Sequence, residues 1–227
     1  MSKYLLEIDK IRKNFQHKNG LIKIFENVNL KVKPGELIAL TGPSGSGKSS
    51  FLHLLALLDK PTSGKIIFMG RDTRKLNEND KDEIRRKKIS MIFQDNNLLS
   101  DFTAVENVLM PLIIRGEDHK SSFLKAKKIL NIVKLNERLN HFPNELSGGE
   151  QQRVAIARSL IAETNLILAD EPTGNLDFKT SVDIFSYLMK LKKLNKAVIF
   201  ATHNRELANK ADYKLSISNG NIKRLSA

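Results

Sequence analysis

The sequence predicts an α/β fold built on a parallel sheet, and three short apolar runs predict it. Glu36-Leu-Ile-Ala-Leu-Thr41 leads into a glycine-rich loop, Asn165-Leu-Ile-Leu-Ala-Asp170-Glu171 ends in two acids, and Ala197-Val-Ile-Phe-Ala-Thr-His203 ends in an imidazole. Brief apolar runs of this kind read as strands buried on both faces. In a parallel sheet their C-terminal tips share one edge, which is where open α/β sheets bind ligands. The loop, the two acids and the histidine are therefore expected around one crevice.

Along the chain, a small antiparallel section comes first: Tyr4–Ile8, then Leu21–Val32, which leads into Pro34-Gly35. The strand over 36–41 and a helix over 49–58 follow, and between them stands Gly42-Pro43-Ser44-Gly45-Ser46-Gly47-Lys48-Ser49. This is the full G-x-x-x-x-G-K-S phosphate loop in its strand-to-helix setting. Its glycines let the backbone curl so that several N–H groups face phosphate oxygens. The following helix adds the partial positive charge of its N-terminus. Lys48 is placed for the β- and γ-phosphates of a nucleoside triphosphate, and the Ser49 hydroxyl for a Mg²⁺ shell. A turn at Pro61-Thr-Ser-Gly64 and a strand over 65–69 come next. Asp80-x-x-Glu83 is the expected cap of a helix carrying Arg85-Arg-Lys-Lys88, and Thr103-x-x-Glu106 caps another. Helices are predicted near 103–115, 120–134 and 149–162, then a strand over 165–169, a helix near 178–193 and a strand over 196–202. Asn219-Gly220 signals a closing hairpin.

The acids at 170 and 171 complete the nucleotide chemistry. A buried strand can deliver Asp170 to the Mg²⁺ beside the phosphates. Glu171, directly after it, is placed to orient and polarise an attacking water. Hydrolysis is favoured over simple binding. His203, on the same edge, is expected to make a polar contact with the γ-phosphate.

Composition narrows the setting. The chain has 227 residues, 41% hydrophobic and 28% charged, which suits one well-buried core with a smaller lobe attached. No stretch approaches the roughly 18 consecutive apolar residues of a membrane span, and Met1-Ser-Lys-Tyr-Leu-Leu-Glu-Ile-Asp9 does not read as a signal peptide. The absence of cysteine excludes disulfides, thiolate metal sites and a cysteine nucleophile. The net charge of +13 favours an anionic cytoplasmic membrane face. Only Arg85–Lys88 is a tight basic run, and no aromatics interleave with it to stack bases, so no nucleic-acid partner is expected.

Leu146-Ser147-Gly148-Gly149-Glu150-Gln151-Gln152-Arg153 is the decisive stretch. Ser147 and Glu150 form a capping box, but capping alone does not ask for two glycines in a first turn, where each costs up to ~1 kcal/mol. Bare N–H groups at a helix N-terminus suit a phosphate. Together with the phosphate loop, Asp170-Glu171 and His203, this stretch resembles the signature of the ATP-binding-cassette ATPases over essentially the whole chain. The resemblance implies an α/β architecture with a RecA-like core (1–94 and 163–227), an N-terminal antiparallel subdomain and a helical lobe over 95–162.

Further roles follow from that resemblance. Gln94 matches the glutamine that joins core and lobe and senses Mg²⁺ and the attacking water. Gly174-Asn175-Leu176-Asp177 matches the loop that crosses the dimer interface, and Ser50 keeps the hydroxyl that reaches the α-phosphate. Phe15 matches the aromatic that stacks on adenine, with packing in the core as the alternative. Glu150 stands where a glutamine is commoner.

Ser147, Gly148 and Gly149 are expected to face the nucleotide of a second copy in a head-to-tail homodimer. Separate membrane-spanning permease subunits would dock on the helices after Gln94, at the cytoplasmic face of the inner membrane. Asn97–Leu112, Pro143–Glu150 and Ala169–Asp177 resemble the lipoprotein-releasing branch. Macrolide-type exporters and a cell-division regulator are close relatives. Chromosome-maintenance ATPases share the signature but insert a long coiled coil, and no heptad repeat is evident here. An exposed apolar patch at Phe102, Val105, Val108 and Leu109 is expected to receive the membrane partner.

Overall fold

The computed structural model describes residues 3–18, 20–174 and 176–226. In chain order the elements are β1 (Leu6–His17), β2 (Gly20–Val32), β3 (Leu37–Thr41), α1 (Lys48–Leu55), β4 (Ser63–Phe68) and β5 (Arg71–Asp72). Then come α2 (Glu78–Lys88), β6 (Ile89–Ile92), α3 (Ala104–Ile114), α4 (His119–Ile132), α5 (Gly148–Ile161) and β7 (Leu166–Asp170). The chain closes with α6 (Phe178–Lys193), β8 (Ala197–Ala201), α7 (Arg205–Ala208), β9 (Tyr213–Ser218) and β10 (Asn221–Ser226).

The strands form two sheets. A small antiparallel one has the order β2-β1-β4-β5, and a central one runs β10-β9-β3-β8-β7-β6. In the central sheet β9, β3, β8, β7 and β6 pair in parallel, and β10 joins antiparallel at the edge. The register aligns the strand ends: Leu40 and Asp170 both pair with Ala201, and Ala169 pairs with Ile92. Each loop that follows these ends therefore leaves from one edge. The β9–β10 hairpin turns at Asn219 and Gly220, both left-handed, with φ of 47° and 75°, as a two-residue primed turn requires.

Side-chain alternation along the parallel strands builds a core on each face. Leu37, Ala39, Ile167, Ala169, Val198 and Phe200 face α3, α4, α5 and α6. Ile38, Leu40, Leu166, Leu168, Ile199 and Ala201 face α1 and the small sheet.

Three expectations are corrected. β1 extends from Leu6 to His17 rather than ending at Ile8. The cap of α2 is Asn77, whose side chain accepts the Asp80 N–H at 2.8 Å, so Asp80 lies inside the helix. Val105, Val108 and Leu109 are core residues, since α3 is sandwiched against α4 and α5, and only Phe102 of that set is exposed. The expected apolar patch does not exist there. The Thr103 turn does cap α3: Glu106 Oε2 accepts the Thr103 N–H at 2.8 Å and its hydroxyl at 2.6 Å. Buried Asn107 then ties the preceding loop down, donating to the carbonyls of Leu99, Phe102 and Thr103.

Candidate nucleotide site

The phosphate loop takes its shape from glycines that cannot be replaced. Gly47, the N-cap of α1, has φ 99°. A Cβ there would stand 2.8 Å from Ile24 and 3.0 Å from the Phe25 ring. The loop is thus pressed against β2 of the small sheet. At Gly42 a Cβ would fall 2.6 Å from the Ile217 carbonyl. The first turn of α1 keeps its N–H groups unencumbered by any side-chain cap, which suits an anion.

A cavity of about 420 Å³ opens at this edge of the sheet, lined by Ser44, Gly45, Gly47, Lys48, Ser49, Ser50, Gln94, Asp170, Glu171, Gly174, His203 and Ile24. Ile24 carries no motif and was not legible as a site residue. Lys48 is buried and curls back over the loop, donating to the carbonyls of Gly42 at 3.1 Å and Pro43 at 3.2 Å. Its Nζ also lies 3.1 Å from His203 Nε2 and 3.9 Å from Glu171 Oε1. An ammonium only donates, so Nε2 accepts from it. That leaves Glu171 Oε1, 3.1 Å from the same Nε2, as a buried acceptor with no donor. The other carboxylate oxygen accepts the His203 N–H at 3.3 Å. Glu171 itself sits at φ 45°, a left-handed conformation that non-glycine residues adopt at a cost and that recurs at functional sites. Ser46 Oγ is a second buried oxygen without a partner.

The donor set suits a hard cation. Ser49 contributes a hydroxyl, Gln94 an amide and Asp170 a carboxylate, all on one cavity. No group of three or more His, Cys, Asp or Glu able to hold a metal occurs among the described residues. Mg²⁺ fits that pattern, because it takes few protein ligands and completes its shell with phosphate oxygens and water.

Other expected residues stand apart from this cavity. Ser147 caps α5 as half of a capping box: Glu150 Oε2 accepts the Ser147 N–H at 2.8 Å and its hydroxyl at 2.9 Å, and Ser147 Oγ accepts the Glu150 N–H at 3.3 Å. A Cβ at Gly148 would meet nothing, and one at Gly149 would touch only Thr180 and Leu176 at ordinary distances. Nothing among the described residues demands either glycine. Burial raises the Glu150 carboxyl, but the Ser147 N–H, Arg138 and the Ser147 hydroxyl outweigh it and hold it at about 2. Asp177 caps α6 by accepting the Thr180 N–H and hydroxyl, while Asn175 lies outside the described residues. Phe15 is 42% exposed, which removes core packing as its role. Its ring lies 4.5 Å from the Lys13 ammonium.

A larger cavity, about 740 Å³, lies away from these groups between Leu57 and Arg85. Its charges are already matched, Lys60 and Lys81 by Glu78 and Arg85 by Asp82.

A family model described as ABC transporter matches residues 25–174. The lipoprotein-releasing system ATP-binding protein LolD of Rickettsia bellii (strain RML369-C) is 46% identical over 218 residues, covering 95% of this chain and 96% of its own. That of Hyphomonas neptunium (strain ATCC 15444) is 43% identical over 223 residues, covering 98% of each. A solved dimeric post-hydrolysis state of the ATP-binding cassette MJ0796, bound to ADP and Pi, superposes with a TM-score of 0.92 at 36% identity, covering 97% of this chain and 98% of that one. With identity of this level sustained from end to end, the chain belongs to the ABC transporter family.

Proposed function

We propose that this chain is the ATP-hydrolysing subunit of a transporter that releases lipoproteins from the inner membrane. The observation that carries the ATPase reading is the meeting of Lys48, Asp170, Glu171, His203 and Gln94 on the phosphate loop cavity. The lipoprotein reading rests on end-to-end similarity to relatives named for that system.

In this reading the backbone of residues 42–47 and the N-terminus of α1 bind the phosphates, with Ser50 on the α-phosphate and Phe15 stacked on adenine. Lys48 moves its ammonium from the loop carbonyls to the β- and γ-phosphates. Ser49, Asp170 and Gln94 hold Mg²⁺, which supplies charge neutralisation at the phosphate oxygens. Glu171 Oε1, the buried acceptor without a donor, orients the attacking water and draws on its proton. His203 then turns toward the γ-phosphate.

Ser147, Gly148, Gly149 and Asp177 lie outside this cavity. We assign them to the nucleotide of a second copy in a head-to-tail homodimer, which explains glycines that no contact among the described residues requires. The core is taken as residues 1–94 and 163–227 and the lobe as 95–162. No described helix is long and apolar enough to cross a membrane, so the spanning subunits would be separate chains and this one peripheral on the cytoplasmic face. Two adjoining cavities of about 220 and 270 Å³ share Arg85, Ile89, Met91 and Arg158. Exposed Leu58 and Ile114 flank them, and this groove is where the permeases would dock.

The test is co-expression with candidate membrane subunits and reconstitution in vesicles carrying a lipidated protein. ATP-dependent release to an acceptor supports the reading. Stimulated hydrolysis without release of any lipidated cargo would overturn the lipoprotein assignment, and absence of Mg²⁺-dependent hydrolysis would overturn the ATPase itself.

A further inference from the structure

The loop after Gln94 runs through two consecutive left-handed residues, Asn96 at φ 59° and Asn97 at φ 44°. Asparagine tolerates this conformation better than most side chains, but two in succession must be held by their surroundings. The Asn97 N–H bonds back to Asp95 O at 2.6 Å and that of Asn96 to Phe93 O at 3.2 Å. The stronger constraint comes from a distant helix. Arg158 of α5 donates from one guanidinium nitrogen to Asn97 O and from the other to Asn96 O, both at 2.8 Å.

Nothing else among the described residues claims that guanidinium: it has no ion pair with any carboxylate there. Burial lowers its pKa, so it is a desolvated charge whose partners are two backbone carbonyls. The planar fork meets each carbonyl with a separate nitrogen in a fixed geometry. Asn96 Oδ1 is buried beside them without a partner, so the turn is not maintained by its own side chain.

We propose that Arg158 is a positioning residue for Gln94: by clamping the two left-handed carbonyls it fixes the turn that presents Gln94 to the phosphate cavity. This rests on the role proposed for Gln94 above. Arg158 also lines both cavities of the groove assigned to the permeases, and Ser147 caps the N-terminus of its helix. About 16 Å of rigid helix therefore links the composite-site glycines to the Gln94 loop. A shift of α5 or pressure in the groove reaches Gln94 through Arg158.

The experiment is a kinetic cycle on the full chain with ATP and Mg²⁺, using Arg158→Met, Arg158→Lys, Gln94→Ala and the Met/Ala double variant. Misplacing Gln94 is expected to lower kcat by about ten- to a hundredfold. The KM for ATP should stay within about twofold, because the phosphate loop is untouched. Arg158→Lys should be intermediate, since a single ammonium on a flexible stem replaces the two guanidinium nitrogens that meet the two carbonyls separately. The distinguishing result is that Arg158→Met adds less than about twofold in the Gln94→Ala background. If the two losses multiply instead, Arg158 does not act through Gln94 and the inference falls alone. If Gln94→Ala has no effect on kcat, the role of Gln94 falls with it. Should Arg158→Met fail to fold, Asn97→Val tests the same clamp from the exposed loop, because a β-branched residue resists the left-handed turn. It should show the same kcat loss, again absent in the Gln94→Ala background, and normal turnover would overturn the proposal.

Discussion

Lys48 Nζ and His203 Nε2 lie 3.1 Å apart across 155 positions of sequence. Parallel pairing of β3 with β8 produces that contact, because Leu40 and Ala201 are register partners and both loops leave from the same edge. The lysine is thereby held over the loop by the Gly42 and Pro43 carbonyls and by His203 together. Its removal should be felt in binding. Lys48→Ala is expected to weaken ATP affinity by roughly ten- to a hundredfold, matching ~1.5–3 kcal/mol for a hydrogen bond to a charged group. Isothermal titration with ATP checks this, and an unchanged Kd would remove Lys48 from the phosphate contacts.

Glu171→Gln separates binding from chemistry. The amide keeps the size of the carboxylate and loses its basicity, so ATP affinity should persist while kcat falls by about 10²–10⁴. An ATP-bound dimer should then accumulate, visible by size-exclusion chromatography coupled to light scattering. Parallel loss of affinity and turnover would mark Glu171 as a structural residue of the turn after β7.

Val105 is a core residue of α3, 3% exposed, and a charge there should act on stability. Val105→Asp buries a carboxylate without a partner, a cost of several kcal/mol. At about 2–4 °C per kcal/mol for a chain of this size, Tm should fall by roughly 10 °C. A melting temperature within a degree or two of the parent would return Val105 to the surface.

The tips of β3, β7 and β8 were legible in the sequence because strands buried on both faces read as unbroken apolar runs closed by a polar residue. β1 was not legible past Ile8. From Asp9 to His17 its only apolar residues are Ile11 and Phe15. Register shifts between Ile8 and Asn14 and a left-handed Lys10 break the period-two pattern. Pairing with both β2 and β4 keeps it a strand, and that is tertiary information. Asn77 and Asp80 are both good caps, and local composition does not choose between them. The burial of Val105, Val108 and Leu109 depends on where α4 and α5 lie. The Arg158 clamp joins side chain to backbone over 61 and 62 positions, and no motif announces a carbonyl acceptor.

Acid should loosen the start of α5. The Glu150 carboxyl titrates at about 2 in the fold, against an ordinary 4.5. A depressed folded value means its contribution to stability is complete above pH 4.5. It declines as the pH falls, because the unfolded chain takes up the proton first, and is gone near pH 2. Glu150→Gln keeps an acceptor for the Ser147 N–H but cannot titrate. Urea midpoints should therefore favour the parent at pH 6 and converge with those of the variant toward pH 3. A gap that stays constant with pH would show that the capping carboxylate is not the linked group.

Ser147→Arg tests the composite site. Ser147 is exposed, and the space around the adjacent Gly148 is open, so the larger side chain disturbs little of its own chain beyond the cap. Losing that cap costs about 1 kcal/mol, and Ser147→Ala carries the same loss without the bulk or the charge. If a second copy's nucleotide docks here, Ser147→Arg should bind ATP as a monomer with near-normal affinity. Placed in the Glu171→Gln background it should fail to form the trapped dimer, whereas Ser147→Ala in that background should still form it. Hydrolysis should be lost with dimerisation, since each site would lack its second half. Normal turnover by Ser147→Arg would show that the N-terminus of α5 faces solvent throughout the cycle. The two glycines, which no contact among the described residues requires, would then need another explanation.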